Sequence, residues 1–238
     1  DLIVSRGLGD VYKRQPYYQM YKDTPGLLES QKRFYGMITN IDDNFGRLIK
    51  TLESLDLTDN TILIFTTDNG TSNGYKFSKT EKKWYGYNAQ MRGTKTSEYD
   101  GGHRVPFIMQ WKKRGITGKT FNGLSAHVDV LPTLASLSGV SFTPTKTIDG
   151  INLSPFIESD NAPERILVTD TQRNQWPEKG KQSSVMYHSW RLVNGNELYN
   201  VQNDPGQENN LYENNQKIVL KLQNYYDIWW KDAAKEFK

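Results

Sequence analysis

The sequence predicts an α/β fold: part of a mixed sheet flanked by helices, followed by a small antiparallel sheet with a terminal helix. Three observations carry this. A long stretch of helical period feeds a short β-branched run, and a second strand-then-helix succession begins at Val105. After Pro163 the pattern changes to short runs separated by turn dipeptides.

The first fifteen residues show no periodicity and are expected to be a non-native, adaptor-like segment, with native sequence from Pro16. Residues 16–162 are then expected to form the α/β part and 163–238 a small C-terminal α+β subdomain. From Glu29 to Leu55 the apolar residues Phe34, Met37, Ile38, Ile41, Phe45, Leu48, Ile49, Leu52 and Leu55 recur at steps of three and four, predicting an amphipathic helix with one buried stripe. Thr61–Thr67 is short, β-branched and apolar, as expected of a strand buried on both faces in a parallel sheet. The polar stretch 68–102 is too long for an ordinary connection, and loops of that length are usually functional.

A second buried strand is expected over Val105–Trp111, then a helix with Asp129 as N-cap, Pro132 in its first turns, and Gly139 as its stop. Short strands follow over Arg165–Thr169, Ser183–Tyr187, Trp190–Val193 and Glu197–Val201. Asn194-Gly195 between the last two signals a tight hairpin. Asp204-Pro205-Gly206 makes a turn, and Gln216–Lys231 returns to helical spacing.

Composition excludes several classes. Thirty Lys and Arg against 27 Asp and Glu leave a net charge of only +3, with the charges interspersed, which does not suit a nucleic-acid partner. No window approaches the roughly 18 apolar residues of a membrane span, so no membrane partner is expected. The absence of cysteine removes disulfides, thiolate zinc sites and a cysteine nucleophile, and leaves the compartment open.

The candidate chemistry lies in two segments. Asp68-Asn69-Gly70 directly follows the first strand, where ligands of open α/β sheets gather. Its carboxylate and carboxamide oxygens suit a hard cation such as Ca²⁺ or Mg²⁺, although Asp-Asn-Gly is equally an ordinary turn. Met91-Arg-Gly-Thr-Lys95 is followed by Asp100-Gly-Gly-His103-Arg104. There Lys95 could act as a point charge for a tetrahedral oxyanion, or could be solvated surface. Both segments face one cleft only if the chain between them folds back. His103 is either a general acid or base or a residue holding the loop in shape. His127 reads as structural, and His188 as surface or pocket rim.

The ordered succession of Thr-Thr-Asp68-Asn69-Gly, Arg-Gly-Thr-Lys95, Asp-Gly-Gly-His-Arg-Val-Pro, Val-Asp129-Val-Leu-Pro132 and Asp149-Gly-Ile-Asn-Leu resembles the type I sulfatases, the arylsulfatase family of the alkaline phosphatase superfamily. The likeness runs from about Tyr17 to the C-terminal tail, whose Trp190-Arg-Leu-Val and Glu197-Leu-Tyr resemble Bacteroidetes-like members. It implies a partial alkaline-phosphatase-like sheet and hydrolysis of sulfate esters on glycans or aryl sulfates. By resemblance, Asp68 and Asn69 are calcium ligands and Lys95 binds the sulfate, with His103 and Arg104 supporting the site. Asp170, Gln172 and Arg173 stand where relatives contact the sugar. The resemblance also implies a periplasmic or secreted location.

One departure matters. The family's formylglycine nucleophile arises from a Cys/Ser-x-Pro-x-Arg segment, and none exists here; Asn161-Ala-Pro163-Glu-Arg165 matches the spacing with the wrong first residue. The chain is therefore expected to be the C-terminal piece of a longer enzyme, with an incomplete calcium site and no turnover alone. Two alternatives stand beside this reading. A phosphatase or phosphodiesterase of the same superfamily would favour zinc, although Asn69 in place of an imidazole argues for calcium. A non-catalytic carbohydrate-binding module would use aromatics such as Trp84, Tyr85 and Tyr87; Trp84 and Tyr87 are otherwise expected near the pocket, and Trp229-Trp230 in the packing of the terminal helix.

Overall fold

A computed structural model describes residues 15–237 apart from Phe142 and Asp160. Except for Gln15, the segment expected to be adaptor-like lies outside the described residues. The chain divides into two compact units, Asp1–Lys113 and Arg114–Lys238.

In the first unit, a short helix α1 (Gln15–Gln19) precedes the long helix α2 (Glu29–Ser54). The helix boundary follows the expected periodicity, but the stripe is only partly covered: Ile38, Ile41 and Leu48 remain exposed. The fully enclosed position is polar. Gln31 is 0% exposed; its Oε1 accepts from Leu28 N at 2.9 Å, and so closes the helix start where Leu28 has no capping oxygen. Gly36 faces α1 so closely that a Cβ there would lie 3.0 Å from the Tyr17 carbonyl carbon.

Strand β1 (Leu63–Thr66) lies beside α2 through an edge contact of Phe45 with Phe65, their centroids 5.4 Å apart. The expectation of a doubly buried parallel strand is corrected. Within the described residues β1 pairs only with β4 (Phe107–Gln110), antiparallel, in the register Leu63↔Gln110 to Thr66↔Phe107. Two strands are too few to enclose either face, which leaves Phe107 and Ile108 exposed and much of the α2 stripe uncovered. The stretch between them is not one loop. It contains a hairpin, β2 (Tyr75–Ser78) with β3 (Lys83–Gly86), and a single helical turn, α3 (Asp100–His103).

In the second unit, a 3-10 turn over His127–Asp129 leads into α4 (Val130–Ser138), which stops at Gly139 with φ +72°. Asp129 occupies the N-cap position of α4 as expected, but its side chain makes no capping hydrogen bond to the helix. Its backbone is already helical, and its buried carboxylate instead accepts from Ala126 N at 2.7 Å, Ile151 N at 2.9 Å and Arg165 Nη1 at 2.7 Å. A short helix α5 (Ser154–Ser159) follows. Arg165 is drawn to Asp129, and the next strand begins one residue later.

Strands β5 (Ile166–Asp170), β6 (Ser183–Tyr187), β7 (Trp190–Val193) and β8 (Glu197–Asn200) form an antiparallel meander in that order. Asn194 (φ +51°) and Gly195 (φ +72°) both adopt the left-handed geometry of the expected hairpin turn. The Asp204 carboxylate holds its turn by accepting from the backbone N–H of Glu208 and Asn209. Helix α6 (Gln216–Ala233) lays Val219, Leu222 and Tyr226 on Val185, Leu192 and Leu198, with Trp229 and Trp230 at the margin of this core.

Candidate functional site

The first unit gathers the segments in which the chemistry was sought. Beyond β1 the chain turns through Asp68 and Asn69. The Asn69 Nδ2 donates to Gly70 O at 3.1 Å, which commits the amide nitrogen and leaves its Oδ1 for a cation. Asp68 is exposed, so its carboxylate stays hydrated and accessible.

The two segments are joined by backbone. Gly70 N donates to Gly102 O at 2.9 Å, and Lys95 N donates to Thr71 O at 2.9 Å. The chain between them returns through the β2–β3 hairpin, whose base is closed by Tyr87 N donating to Gly74 O at 3.0 Å. Helix α2 fixes that base: Gln31 Nε2 donates to Tyr85 O at 2.8 Å, and Tyr35 Oη to Gly74 O at 2.8 Å. Thus Asp68, Asn69 and Lys95 share one loop cluster despite their separation in sequence.

Glycine permits this approach. A Cβ on Gly70 would stand 1.9 Å from Gly101 O, and one on Gly101 would stand 2.3 Å from Gly93 O. Asn88, nearly buried, braces the same crossing by donating Nδ2 to Gly93 O at 2.7 Å and Met91 O at 3.3 Å. Arg92 lies over the Tyr99 ring at 3.8 Å. Asp100 is 1% exposed and pairs with the outward Arg104 at 3.6 Å.

His103 donates Nε2 to Glu98 O at 3.2 Å, a contact that holds the turn of α3. Asp170, Gln172 and Arg173 belong to the second unit. There Gln172 N and Nε2 donate to the Asp170 carboxylate, the former at 3.0 Å, and Glu178 N donates to Gln172 Oε1 at 2.8 Å, closing the loop on itself; Arg173 is exposed. His188, also in this unit, is exposed and pairs with Glu164 at 2.9 Å.

Sequence reasoning overlooked Gln31, Tyr35 and Asn88. Gln31 carried a signal, since it falls in phase with Phe34, Ile38, Ile41 and Phe45, a polar residue on an apolar stripe.

Calcium takes six to eight oxygen ligands. Asp68 and Asn69 are of the right donor type but supply only part of such a shell, and no group of three or more His, Cys, Asp or Glu that could hold a metal occurs among the described residues. The donors present therefore fit calcium in kind and fall short in number.

Comparison with known proteins gives a consistent picture. The family profile described as Sulfatase matches residues 10–140. An N-acetylgalactosamine-6-O-sulfatase of Bacteroides thetaiotaomicron is 29% identical over 203 residues, 78% of this chain and 39% of that relative. The human steryl-sulfatase is 32% identical over 138 residues, 58% of this chain and 23% of its own length. Among solved structures, Ps i-CgsB superposes with a TM-score of 0.74 at 24% identity, covering 90% of this chain and 46% of the other. BT4656, solved with its substrate D-glucosamine-2-N,6-O-disulfate, gives 0.64 at 24% identity, covering 85% and 41%. The chain thus spans less than half the length of each of these proteins.

Proposed function

The chain belongs to the sulfatase family, and from that premise we propose that it forms part of a type I sulfatase acting on sulfated glycans, with Asp68 and Asn69 as calcium ligands and Lys95 as the sulfate-binding cation. The observation that supports this reading is the backbone clasp of Gly70 to Gly102 and of Thr71 to Lys95, which joins the segments that bear Asp68, Asn69 and Lys95.

The ammonium of Lys95 would pair with sulfate oxygens as a mobile point charge and offset the charge that grows on them during S–O cleavage. Asp68 would hold the cation as a carboxylate and Asn69 as a neutral carbonyl oxygen, a hard-donor pair that favours calcium over zinc. Calcium, when bound, would supply Lewis-acid polarisation of the sulfate. His103 and Arg104 support the site: the first holds the α3 turn, and the second covers the buried Asp100 with its charge. The nucleophile would come from a Cys/Ser-x-Pro-x-Arg segment, which this sequence lacks, so the 238-residue chain alone is expected to bind substrate without hydrolysing it. N-acetylgalactosamine-6-sulfate and D-glucosamine disulfate are the sugar classes suggested by the related proteins. A role outside the cytoplasm is part of the same proposal; no helix among the described residues is long and apolar enough to cross a membrane.

Calorimetric titration with N-acetylgalactosamine-6-sulfate in the presence of calcium tests the reading. Binding is expected in the unaltered chain and should be lost in Lys95→Ala and weakened in Asp68→Ala. Equal affinity for the 6-phosphate ester, together with a preference for zinc, would instead support the phosphatase alternative.

A further inference from the structure

The β2–β3 hairpin departs from the loop by which the sequence joins the two site segments, and its composition is unusual. Residues 75–87 hold Lys76, Lys79, Lys82 and Lys83 against the single acid Glu81, a local surplus as large as the +3 of the entire chain. Its register, Tyr75↔Gly86 and Phe77↔Trp84, puts Tyr75, Phe77 and Trp84 on one face. Tyr75 stacks on Trp84 with centroids 4.6 Å apart and planes 9° from parallel, while Phe77 meets the same indole edge-on at 5.4 Å. Gly86, opposite Tyr75, has φ +86° and leaves room for the anchors of the hairpin base, since a Cβ there would stand 2.0 Å from Gly74 O and 2.4 Å from Gln31 Nε2.

This cluster is not a core. Trp84 remains 49% and Phe77 43% exposed, and Tyr87 at the hairpin base is 72% exposed. The opposite face carries Lys76, Tyr85 and Lys83, with Lys83 over the Tyr85 ring at 4.8 Å and paired with Glu81 at 3.4 Å. Lys79 and Lys82 occupy the exposed turn, where Lys82 takes φ +52°. The base is rigid by contrast, because Gln31 and Tyr35 bond it to α2. An aromatic face with two exposed lysines in the turn at one end, held by α2 at the other, is complementary to a ligand that is apolar on its ring faces and anionic at its edges.

We propose that this hairpin is a second subsite, which binds the neighbouring sugars of a sulfated oligosaccharide when one sulfated residue occupies the Lys95 cluster. The proposal rests on the sulfated-glycan reading above and extends it from one sugar to a chain of them. A sugar ring packs on the exposed indole of Trp84, and Lys79 and Lys82 pair with its sulfate or carboxylate groups. The specificity that follows is for polyanionic glycans over isolated sulfated sugars.

The test compares N-acetylgalactosamine-6-sulfate with a tetrasaccharide of alternating uronate and N-acetylgalactosamine-6-sulfate, titrated into the 238-residue chain. The tetrasaccharide is expected to bind about tenfold more tightly. Trp84→Ala, and separately the double variant Lys79→Gln/Lys82→Gln, should each remove most of that gain and leave monosaccharide affinity unchanged. Trp84→Phe, which keeps a stacking ring, should retain it, and the lysine variant leaves the aromatic stack intact, so loss of hairpin folding cannot imitate the result. Added salt should erode the tetrasaccharide advantage in the unaltered chain and have little effect in the lysine variant. Equal affinity for the two sugars, or a gain that survives both variants, overturns the subsite while leaving the Lys95 reading in place. Failure of both sugars to bind overturns both readings. If the variants weaken binding of a sterol sulfate but not of the tetrasaccharide, the aromatic face serves apolar ligands and the proposal falls.

Discussion

Asp129 shows how one buried carboxylate can organise a stretch of chain. It is 1% exposed and collects three donors, two from backbone amides and one from Arg165, whose own side chain is 11% exposed. Truncating one partner of a buried pair leaves an uncompensated charge, at a cost of about 3–5 kcal/mol. Arg165→Ala should therefore lower the stability of the second unit by about that amount, read as a shift in the urea midpoint. At the surface the balance differs. Glu164 is held below the ordinary glutamate range, first by the hydrogen bond from Tyr187, with His188 and Lys221 adding their positive charge. Because the folded state then binds its proton less readily than the unfolded one, the contribution is present above the usual glutamate pKa and lost as pH falls through the lowered folded value. A Glu164→Gln variant should thus be less stable than the unaltered chain near neutrality and converge with it in acid, as followed by thermal melts across pH; exposure and salt keep the difference small.

Among the elements, α6 depends on a narrow stripe. Leu222 is fully enclosed against the meander, whereas Ile228 on the same helix is 73% exposed. Leu222→Ala should cost about 2–5 kcal/mol through lost burial and the cavity left behind, while Ile228→Ala should change stability by less than about 0.5 kcal/mol. Chemical denaturation of the two variants checks the contrast. Elements of this kind were legible in the sequence because their signals are local: α6 through its period, and the β7–β8 hairpin through Asn194-Gly195, whose positive φ angles few other pairs adopt. The relative direction of β1 and β4 was not, since apolar runs carry no sign of orientation. The β2–β3 hairpin escaped notice because its alternation is of aromatic with lysine, and its turn lacks an Asn-Gly pair. In the candidate site, the segments bearing Asp68, Asn69 and Lys95 could be picked out. Their union could not, because it depends on long-range backbone bonds that only the close approach of Gly70, Gly93, Gly101 and Gly102 allows.

For the molecule as a whole, the decisive contrast is between a well-enclosed meander in the second unit and a first unit whose candidate site rests on loop-to-loop bonds. Loops tied by a few backbone bonds open more readily than a packed sheet core. A cation shared by Asp68 and Asn69 would bind the closed arrangement alone, and mass action would then reduce opening by the factor 1 + [Ca²⁺]/Kd. With Asp68 and Asn69 as the proposed donors among the described residues, water would supply the remaining ligands, so the affinity should fall at the weak end of the calcium range, with Kd on the order of millimolar. At a calcium concentration equal to Kd, exchange of the Gly70, Lys95 and Gly102 amides should slow about twofold, and at ten times Kd about elevenfold. The amides of Leu192 and Leu198, in the core of the meander, should not respond. Hydrogen exchange followed by NMR reads both sets in one sample. Asp68→Ala should abolish the calcium response at Gly70 while leaving the Leu192 rate unchanged, and a response that survived the substitution would place the cation on donors other than those proposed.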